Sequence, residues 1–402
     1  MTLAVAVICV ALTSLAVLPF FIIGEDQKVG CCGGEMPITQ DAWMHYIQMN
    51  AFWQSLASGI IYPRWDENAH VYGAPTTSFY PPGAYYLTST IYFFARGWVE
   101  TWAGFYWLTM LASAAAIYWY ARQRVSRGAS LVAMAAYVFA PYHLINQYQR
   151  GAMSEFTSFI WVPLGLLFAG RLLGVEQSSV CFVGRRNRLN SVPLAFAGLA
   201  ASFGAFLWTH PPTAYQFVLV FGACVAVSAI RAGKWRELGW IVLSLIFGSM
   251  LAAAYFYPAI AEQRLVNYDD VARVWPYHDS YVFDFSQNVY DHVGNPFFVR
   301  LDRIWTFNLA TILIAAAVLW RFTRAARMGG RDNVPWRQWA AAGLFASFLM
   351  TKYSAPLGRL IPKIETGVFS WRMLALTSFA TAMFVATIAD CGLRPNGQSV
   401  DC

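Results

Sequence analysis

Charge is what this chain has least of. Only 12% of its 402 residues are Asp, Glu, Lys or Arg, against roughly 25% in a soluble domain. With 58% hydrophobic and 17% aromatic residues and a mean hydropathy of +0.43, that scarcity excludes an ordinary soluble fold. Cysteine is also sparse. Cys9 and Cys224 lie in apolar stretches, Cys31 and Cys32 are adjacent, and Cys181, Cys391 and Cys402 fall in loops or the tail. This is no disulfide framework, and no pair has zinc-ligand spacing. Low-complexity tracts, internal repeats and a soluble domain are missing as well.

What is present is a series of long apolar runs. They cover roughly 3–23, 100–121, 129–146, 156–174, 191–208, 213–230, 238–257, 304–320, 338–352 and 369–390, each near the ~20 residues a bilayer crossing needs. The first run has no Arg/Lys-rich start and no clean small-residue cleavage site before Glu25. It reads as a retained membrane helix or signal anchor. The sequence thus predicts one all-α polytopic membrane domain over 1–402, with about 10–11 transmembrane helices. Its long outer loops are 24–81, carrying juxtamembrane helices, and 258–303.

The net charge of +7 does not mark a nucleic-acid partner. Its arginines sit in short loops: Arg122, Arg124 and Arg127; Arg185, Arg186 and Arg188; Arg231 and Arg236 with Lys234; and Arg321, Arg324, Arg327, Arg331 and Arg337. If the spans alternate, all four clusters share one side, which the positive-inside rule makes the cytoplasm. Both termini then face the cytoplasm. The apolar stretch Pro82 to Phe94 is too short for a full crossing, so it reads as a re-entrant or shallow helix. Were it to span, every downstream loop would change side.

With that parity, the residues that can do chemistry collect outside. The passage from Pro37 to Leu87 holds Asp41 and His45, Tyr62-Pro63-Arg64-Trp65, Tyr72-Gly73-Ala74-Pro75 and Phe79-Tyr80-Pro81-Pro82. Residues four apart share a helix face, so a helix from Asp41 would align Asp41, His45 and Gln48. Trp43, Met44, Ile47 and Ala51 would lie on another side, as suits a helix on the membrane surface. Asp41 fits a helix cap equally well. Arg150, Glu155, His210 and Trp371-Arg372 fall on the same outer side. Glu155 opens a span, where an ionisable group is costly and by default functional, yet Arg150 could simply pair with it. His210 beside Pro211-Pro212 suits a capping role, and Trp371-Arg372 suits a belt Trp and a snorkelling Arg. Arg64 beside Trp65 could hold a phosphate or only anchor its loop. Loop 258–303 has Asp269, Asp270, Asp279, Asp284, Asp291 and Asp302 with His278 and His292, but in no metal-loop spacing.

The Asp-x3-His pair, the Gly-x-x-Tyr-Pro-Arg-Trp run from Gly59 and the Phe-Tyr-Pro-Pro-x-x-Tyr-Tyr-Leu run from Phe79 carry a resemblance. So do Pro141-Tyr142 followed by Arg150-Gly151-Ala152-x-x-Glu155, Pro258-Ala259 with Glu262, and Phe369-Ser370-Trp371-Arg372. Together they resemble bacterial membrane proteins of the GT-C glycosyltransferase superfamily. The nearest likeness is to the group labelled "6-pyruvoyl-tetrahydropterin synthase-related" membrane proteins, related to YfhO-like proteins. The resemblance implies a bacterial cytoplasmic-membrane enzyme that moves a sugar from a polyprenyl-phosphate-linked donor to a glycan, lipid or protein acceptor on the outer face. It implies Asp41 as base or metal ligand, with Glu155 as the second acidic residue. The first loop has no Asp-x-Asp, so no cofactor is firmly implied and a divalent metal is unsupported.

Such chemistry needs a base at the acceptor hydroxyl and cations at the leaving phosphate. Asp41 or His45 suits the base. Arg64, Arg150 and Arg372 suit the phosphate, and Tyr62, Trp65 and Tyr80 suit the sugar or the isoprenoid. Two other classes remain open. One is a transporter or flippase, which usually shows repeated halves and polar mid-span breaks. The other is a non-catalytic assembly factor of an envelope polymer.

Overall fold

A computed structural model describes residues 2–21, 28–31, 34–67, 73–174, 188–265, 280–283, 296–326, 336–358, 360–361 and 369–392. Leu3–Val17 (α1) leads into a hairpin of two short antiparallel strands, Lys28–Cys31 (β1) and Gly34–Pro37 (β2). The hydropathy pattern gave no sign of this hairpin. Then come Ala42–Ala57 (α2), Gly83–Ala95 (α3) and Trp98–Arg122 (α4). Arg127–Val138 (α5) continues through a short helix, Pro141–Ile145, into a widened π turn, Asn146–Arg150. Ser158–Leu172 (α6), Arg188–Thr209 (α7), Pro211–Phe217 (α8) and Ala223–Arg231 (α9) follow. Trp235–Leu251 (α10), Ala253–Ala261 (α11), Pro296–Ala326 (α12), Trp336–Leu349 (α13) and Leu374–Gly392 (α14) complete the bundle.

Every apolar run in the sequence is therefore helical, and the protein is a helical polytopic membrane protein. Among the described residues 7 helices are long and apolar enough to cross a bilayer, or up to 8 if α10 and α11, bent by 79°, form one span. Two expected crossings differ. The 25-residue α4 is more polar than a lipid-facing span because its neighbours enclose it. Its Thr101, Thr109 and Ser113 are buried and return their hydroxyls to backbone carbonyls of their own helix, so lipid never meets them. The 14-residue α13 rises only about 21 Å, short of the ~30 Å hydrocarbon core.

The two ends of the bundle differ in chemistry. At one end the Arg127 guanidinium donates to Thr2, Ser126 N donates to Asp390 Oδ1 at 3.1 Å, and Lys234 Nζ donates to the Leu173 carbonyl at 2.5 Å. Thr2, the end of α14, the end of α6 and the residues before α5 and α10 thus share an end. The other end carries the first loop. Gly83, at the start of α3, packs on Trp208 and Thr209 at the far end of α7. The other end of α3 turns at Arg96 (φ 60°) into α4, with Tyr92 stacked on Trp98 at 4.0 Å. Trp102, one turn into α4, lies beside Gly151. Both ends of α3 therefore stay at the first-loop end, and its 13 residues do not cross.

α2 lies at the same end with its faces sorted. His45, Tyr46, Met49 and Phe52 are buried, while Trp43, Met44 and Ile47 are exposed. The central posts are α6 and α14, whose apolar windows are 78% buried against 28–50% in the other candidate spans. Each begins at the first-loop end, so whatever precedes them is held by the most enclosed candidate spans. A cysteine at Ala74 is expected to react with an impermeant outside thiol reagent, and one at Ser126 to be protected, with Cys31 and Cys32 removed. The reverse pattern would put the first loop in the cytoplasm.

Candidate functional site

Glu155 stands in the turn Met153–Phe156 that feeds α6, and it is 2% exposed. A buried carboxylate is costly unless paired and hydrogen-bonded, and both of its oxygens are engaged. Arg150 Nη1 donates to Oε2 at 2.6 Å, Arg372 Nε donates to the same oxygen at 3.1 Å, and the Tyr142 hydroxyl donates to Oε1 at 2.5 Å. Arg150 comes from the π turn, where Asn146 Oδ1 accepts a second bond from Nη1 at 2.6 Å. Gly151 (φ 66°) then reverses the chain into Glu155.

Arg372 belongs to the 3₁₀ turn Ser370–Met373 that opens α14. Its guanidinium lies over the Phe369 ring at 4.9 Å, and that ring stacks on Trp371 at 4.4 Å. Distant segments fix the turn. Gln216 Nε2 donates to the Phe369 carbonyl at 2.9 Å, and Ser370 N donates to Ser280 Oγ at 2.9 Å. The trans-sequence pair Glu155–Arg372 thus joins the two central posts.

Asp41 reaches this cluster through the backbone. Gln40 N donates to the Gln149 carbonyl at 3.0 Å and Asp41 N to the Arg150 carbonyl at 2.8 Å, a short ladder that fastens the first loop to the arginine turn. Asp41 stands at the N-cap of α2, yet its side chain makes no capping bond. Thr39 Oγ1 accepts from Ala42 N at 3.0 Å instead. The Asp41 carboxylate therefore faces the cluster, within electrostatic reach of Arg150, Glu155 and Arg372. Burial raises its pKa above the ordinary Asp value; Arg150 and Arg372 oppose that rise and Glu155 adds to it.

His45, one turn along α2, is buried. Its Nδ1 is 3.0 Å from the Tyr85 hydroxyl, which in turn donates to Gln48. Burial, reinforced by Arg150, pushes its pKa down to about 4, so the ring is neutral near pH 7 and a weak base. The Tyr80 ring sits 6.0 Å from His45 and 5.7 Å from Tyr85, with its hydroxyl toward Ser154. His210 caps α8, its Nδ1 2.8 Å from Thr213 Oγ1, and stands within electrostatic reach of Arg372, Glu155 and Arg150.

Three sequence candidates lie elsewhere. Arg64 Nη2 donates to Glu262 Oε2 at 2.8 Å, and the pair is more than a third exposed at both ends. Tyr62 packs on Trp208 at 6.2 Å, and Trp65 covers Gly73 and is half exposed. This second group straps the first loop to the end of α11. Thr77 Oγ1 donates to the Pro63 carbonyl at 2.7 Å and Tyr86 OH to the Ile61 carbonyl at 2.7 Å. Asp269, Asp270, His278, Asp279, Asp284, Asp291 and His292 lie outside the described residues. Asp302 is an acceptor for Phe283 N at 2.9 Å. No group of three or more His, Cys, Asp or Glu among the described residues could hold a metal ion.

Asn146, Gln216 and Ser280 were not singled out by sequence. Asn146 had a signal, four residues before Arg150 and so on the same helical face. Gln216 and Ser280 meet the site only through tertiary folding, and no local pattern marks them.

Gly151 is a point of leverage. A Cβ there would sit 2.2 Å from Thr39 Oγ1 and 3.2 Å from the Trp102 ring, on a backbone that L-residues rarely adopt. Gly151→Ala is expected to cost roughly 1 kcal/mol or more and to push the Thr39–Asp41 segment off the arginine turn. Thermal unfolding checks the first effect. Faster hydrogen exchange at Gln40 and Asp41 checks the second.

One carboxylate facing two guanidinium groups beneath a surface helix can exchange a proton at Asp41 beside an anion held by arginine. No protein-family model and no curated protein matches this chain.

Proposed function

We propose that the chain is a glycosyltransferase of the outer membrane face, taking its sugar from a polyprenyl-phosphate-linked donor. Asp41 is the general base at the acceptor hydroxyl, and Arg150 and Arg372 meet the phosphate that leaves. The observation that carries the reading is the meeting of Asp41 with Arg150, Glu155 and Arg372 at the heads of the two most enclosed helices. A base and phosphate-binding cations are what the reaction requires. The partners are then the polyprenyl-phosphate donor, the bilayer, and a glycan, lipid or protein acceptor. The positive-inside rule gives the orientation.

Within the site the roles separate. Glu155, already bonded by Arg150, Arg372 and Tyr142, orients the arginines. His45 stays neutral and holds the Tyr85 hydroxyl. Tyr80 is an aromatic within electrostatic reach of the base. Tyr62, Arg64, Trp65 and His210 act through loop anchoring and helix capping. Trp371 supports the Arg372 turn.

The test is transfer in proteoliposomes, offering polyprenyl-phosphate hexoses and pentoses labelled in the sugar. Release of polyprenyl phosphate with label moving to an acceptor or to water is expected from at least one donor. Failure with every donor, from folded protein, overturns the reading. One observation favours a second reading: Asp41 and Glu155 balance Arg150 and Arg372 in charge, as a purely structural lock would. An assembly factor keeps its function in an Asp41→Asn protein that folds, since no proton transfer is asked of it.

A further inference from the structure

The carboxylate between the two arginines has the geometry of a bound anion. Glu155 Oε2 receives Arg150 Nη1 at 2.6 Å and Arg372 Nε at 3.1 Å. Those two arginines are the ones the proposed reaction needs at a phosphate. Both cannot fully serve an entering phosphate while the carboxylate stays between them. We infer that Glu155 is an internal stand-in for the phosphate: in the resting protein it holds the anion position, and a phosphate monoester binds by drawing Arg372 away from it.

Three observations make Arg372 the arm that moves. Its contact with Glu155 is the longer of the two, and its side chain is 14% exposed against 8% for Arg150. It enters from the start of α14, whereas Arg150 and Tyr142 reach Glu155 from the segment just before it in the chain. When Arg372 leaves, Glu155 therefore keeps Arg150 on Oε2 and Tyr142 on Oε1, so no bare charge is buried. A phosphate monoester carries about −1.5 to −2 charges against −1 for a carboxylate. It also accepts bidentate arginine bonds, which lets it win the exchange.

An independent observation sits beside Arg150. Asn146, fully buried, gives its Oδ1 to Arg150, while its Nδ2 has no hydrogen-bond partner among the described residues. A buried amide N–H without an acceptor is costly. An oxygen-rich anion next to Arg150 supplies one.

The inference rests on the reading that a phosphate enters this site, and binding measurements separate it from the transfer chemistry. The full chain in maltoside micelles is titrated with dodecyl phosphate and, in parallel, with inorganic phosphate, read by native mass spectrometry and thermal shift. Glu155→Gln keeps an oxygen for Tyr142 but removes the competing charge. It is expected to bind dodecyl phosphate at least about tenfold more tightly than wild type, the scale of one charge-assisted hydrogen bond. Arg372→Ala is expected to weaken binding by at least about tenfold, and Glu155→Gln/Arg372→Ala to lose the gain.

A stronger response to dodecyl phosphate than to inorganic phosphate assigns the site to a lipid-borne phosphate. An equal response assigns it to free phosphate. If Glu155→Gln does not fold, Tyr142→Phe decides: without the hydroxyl on Oε1, Glu155 depends more on Arg372, so dodecyl phosphate should bind more weakly than in wild type. Binding no tighter than wild type in folded Glu155→Gln, or no weaker in Tyr142→Phe where that variant decides, overturns the stand-in. The titration is run beside the proteoliposome assay of wild type. Tightening in Glu155→Gln together with no transfer by wild type from any donor would count against the enzyme reading and leave the stand-in intact.

Discussion

On the proposed reading, Asp41→Asn is expected to lower sugar transfer about 10²–10⁴-fold, the usual worth of a general base, and to leave donor affinity nearly unchanged. The amide keeps the size of the carboxylate and cannot take a proton. Donor affinity is expected to hold because that reading puts the phosphate on Arg150 and Arg372, whose own bonds to Glu155 do not involve the Asp41 side chain. The same assignment fixes a pH dependence. Burial lifts Asp41 above the ordinary Asp range, and a base works only when deprotonated. Wild-type transfer is therefore present above that raised pKa and lost as pH falls through it, at a higher pH than an unperturbed Asp would give. The acid limb disappears from the residual activity of Asp41→Asn. A folded Asp41→Asn protein with full activity ends the assignment, and the wild-type thermal midpoint must first be matched in the same detergent.

Arg150→Ala has the largest expected effect on stability. It strips a 2.6 Å ion pair from a carboxylate that is 2% exposed and takes a partner from the buried Asn146 amide. Removing one partner of a buried pair costs about 3–5 kcal/mol, read as a loss of denaturant midpoint in micelles. Arg372→Ala costs less, since its contact is longer and more exposed and Arg150 remains to pair Glu155. The double variant Arg150→Met/Glu155→Gln should recover much of the loss, because no uncompensated charge is left inside. An Arg150→Ala protein as stable as wild type would mean that water or another side chain reaches Glu155, and the buried cluster would lose its structural role.

Much of this bundle was legible because lipid imposes long apolar runs, and each run became a helix. The short stretch after Pro82 was legible for the same reason, since thirteen residues of α3 cannot reach across. The finer division was not. The crossing register of α4 depends on neighbours that hide Thr101, Thr109 and Ser113, and α13 is cut short by the turn that follows it. The 79° bend between α10 and α11 falls at Ala252, whose identity announces nothing. The site divides along the same line. Arg150 with Glu155 is a local pair, visible as charges five residues apart beside a span. Glu155 with Arg372 is separated by 217 residues and Arg64 with Glu262 by 198. Those pairings are made by packing, so the sequence named their members without saying which partners they choose. That is how Arg64, placed beside Arg150 and Arg372 by its chemistry, came to hold a loop against α11 instead.

The widened turn at Asn146–Arg150 bears on how kinship to this chain should be judged. A π turn takes in an additional residue, and one residue on a regular helix amounts to about 100° of rotation. Before the turn, Met134 and Tyr137 pack in the core; Arg150, the last residue of the turn, meets Glu155 in the phase that the added residue sets. A chain with every motif letter in place but one residue fewer between Pro141 and Gly151 would preserve the same helices and aim its arginine elsewhere. Spacing across that interval, more than the letters on either side, separates a homologue with a working site from one that has kept only the scaffold.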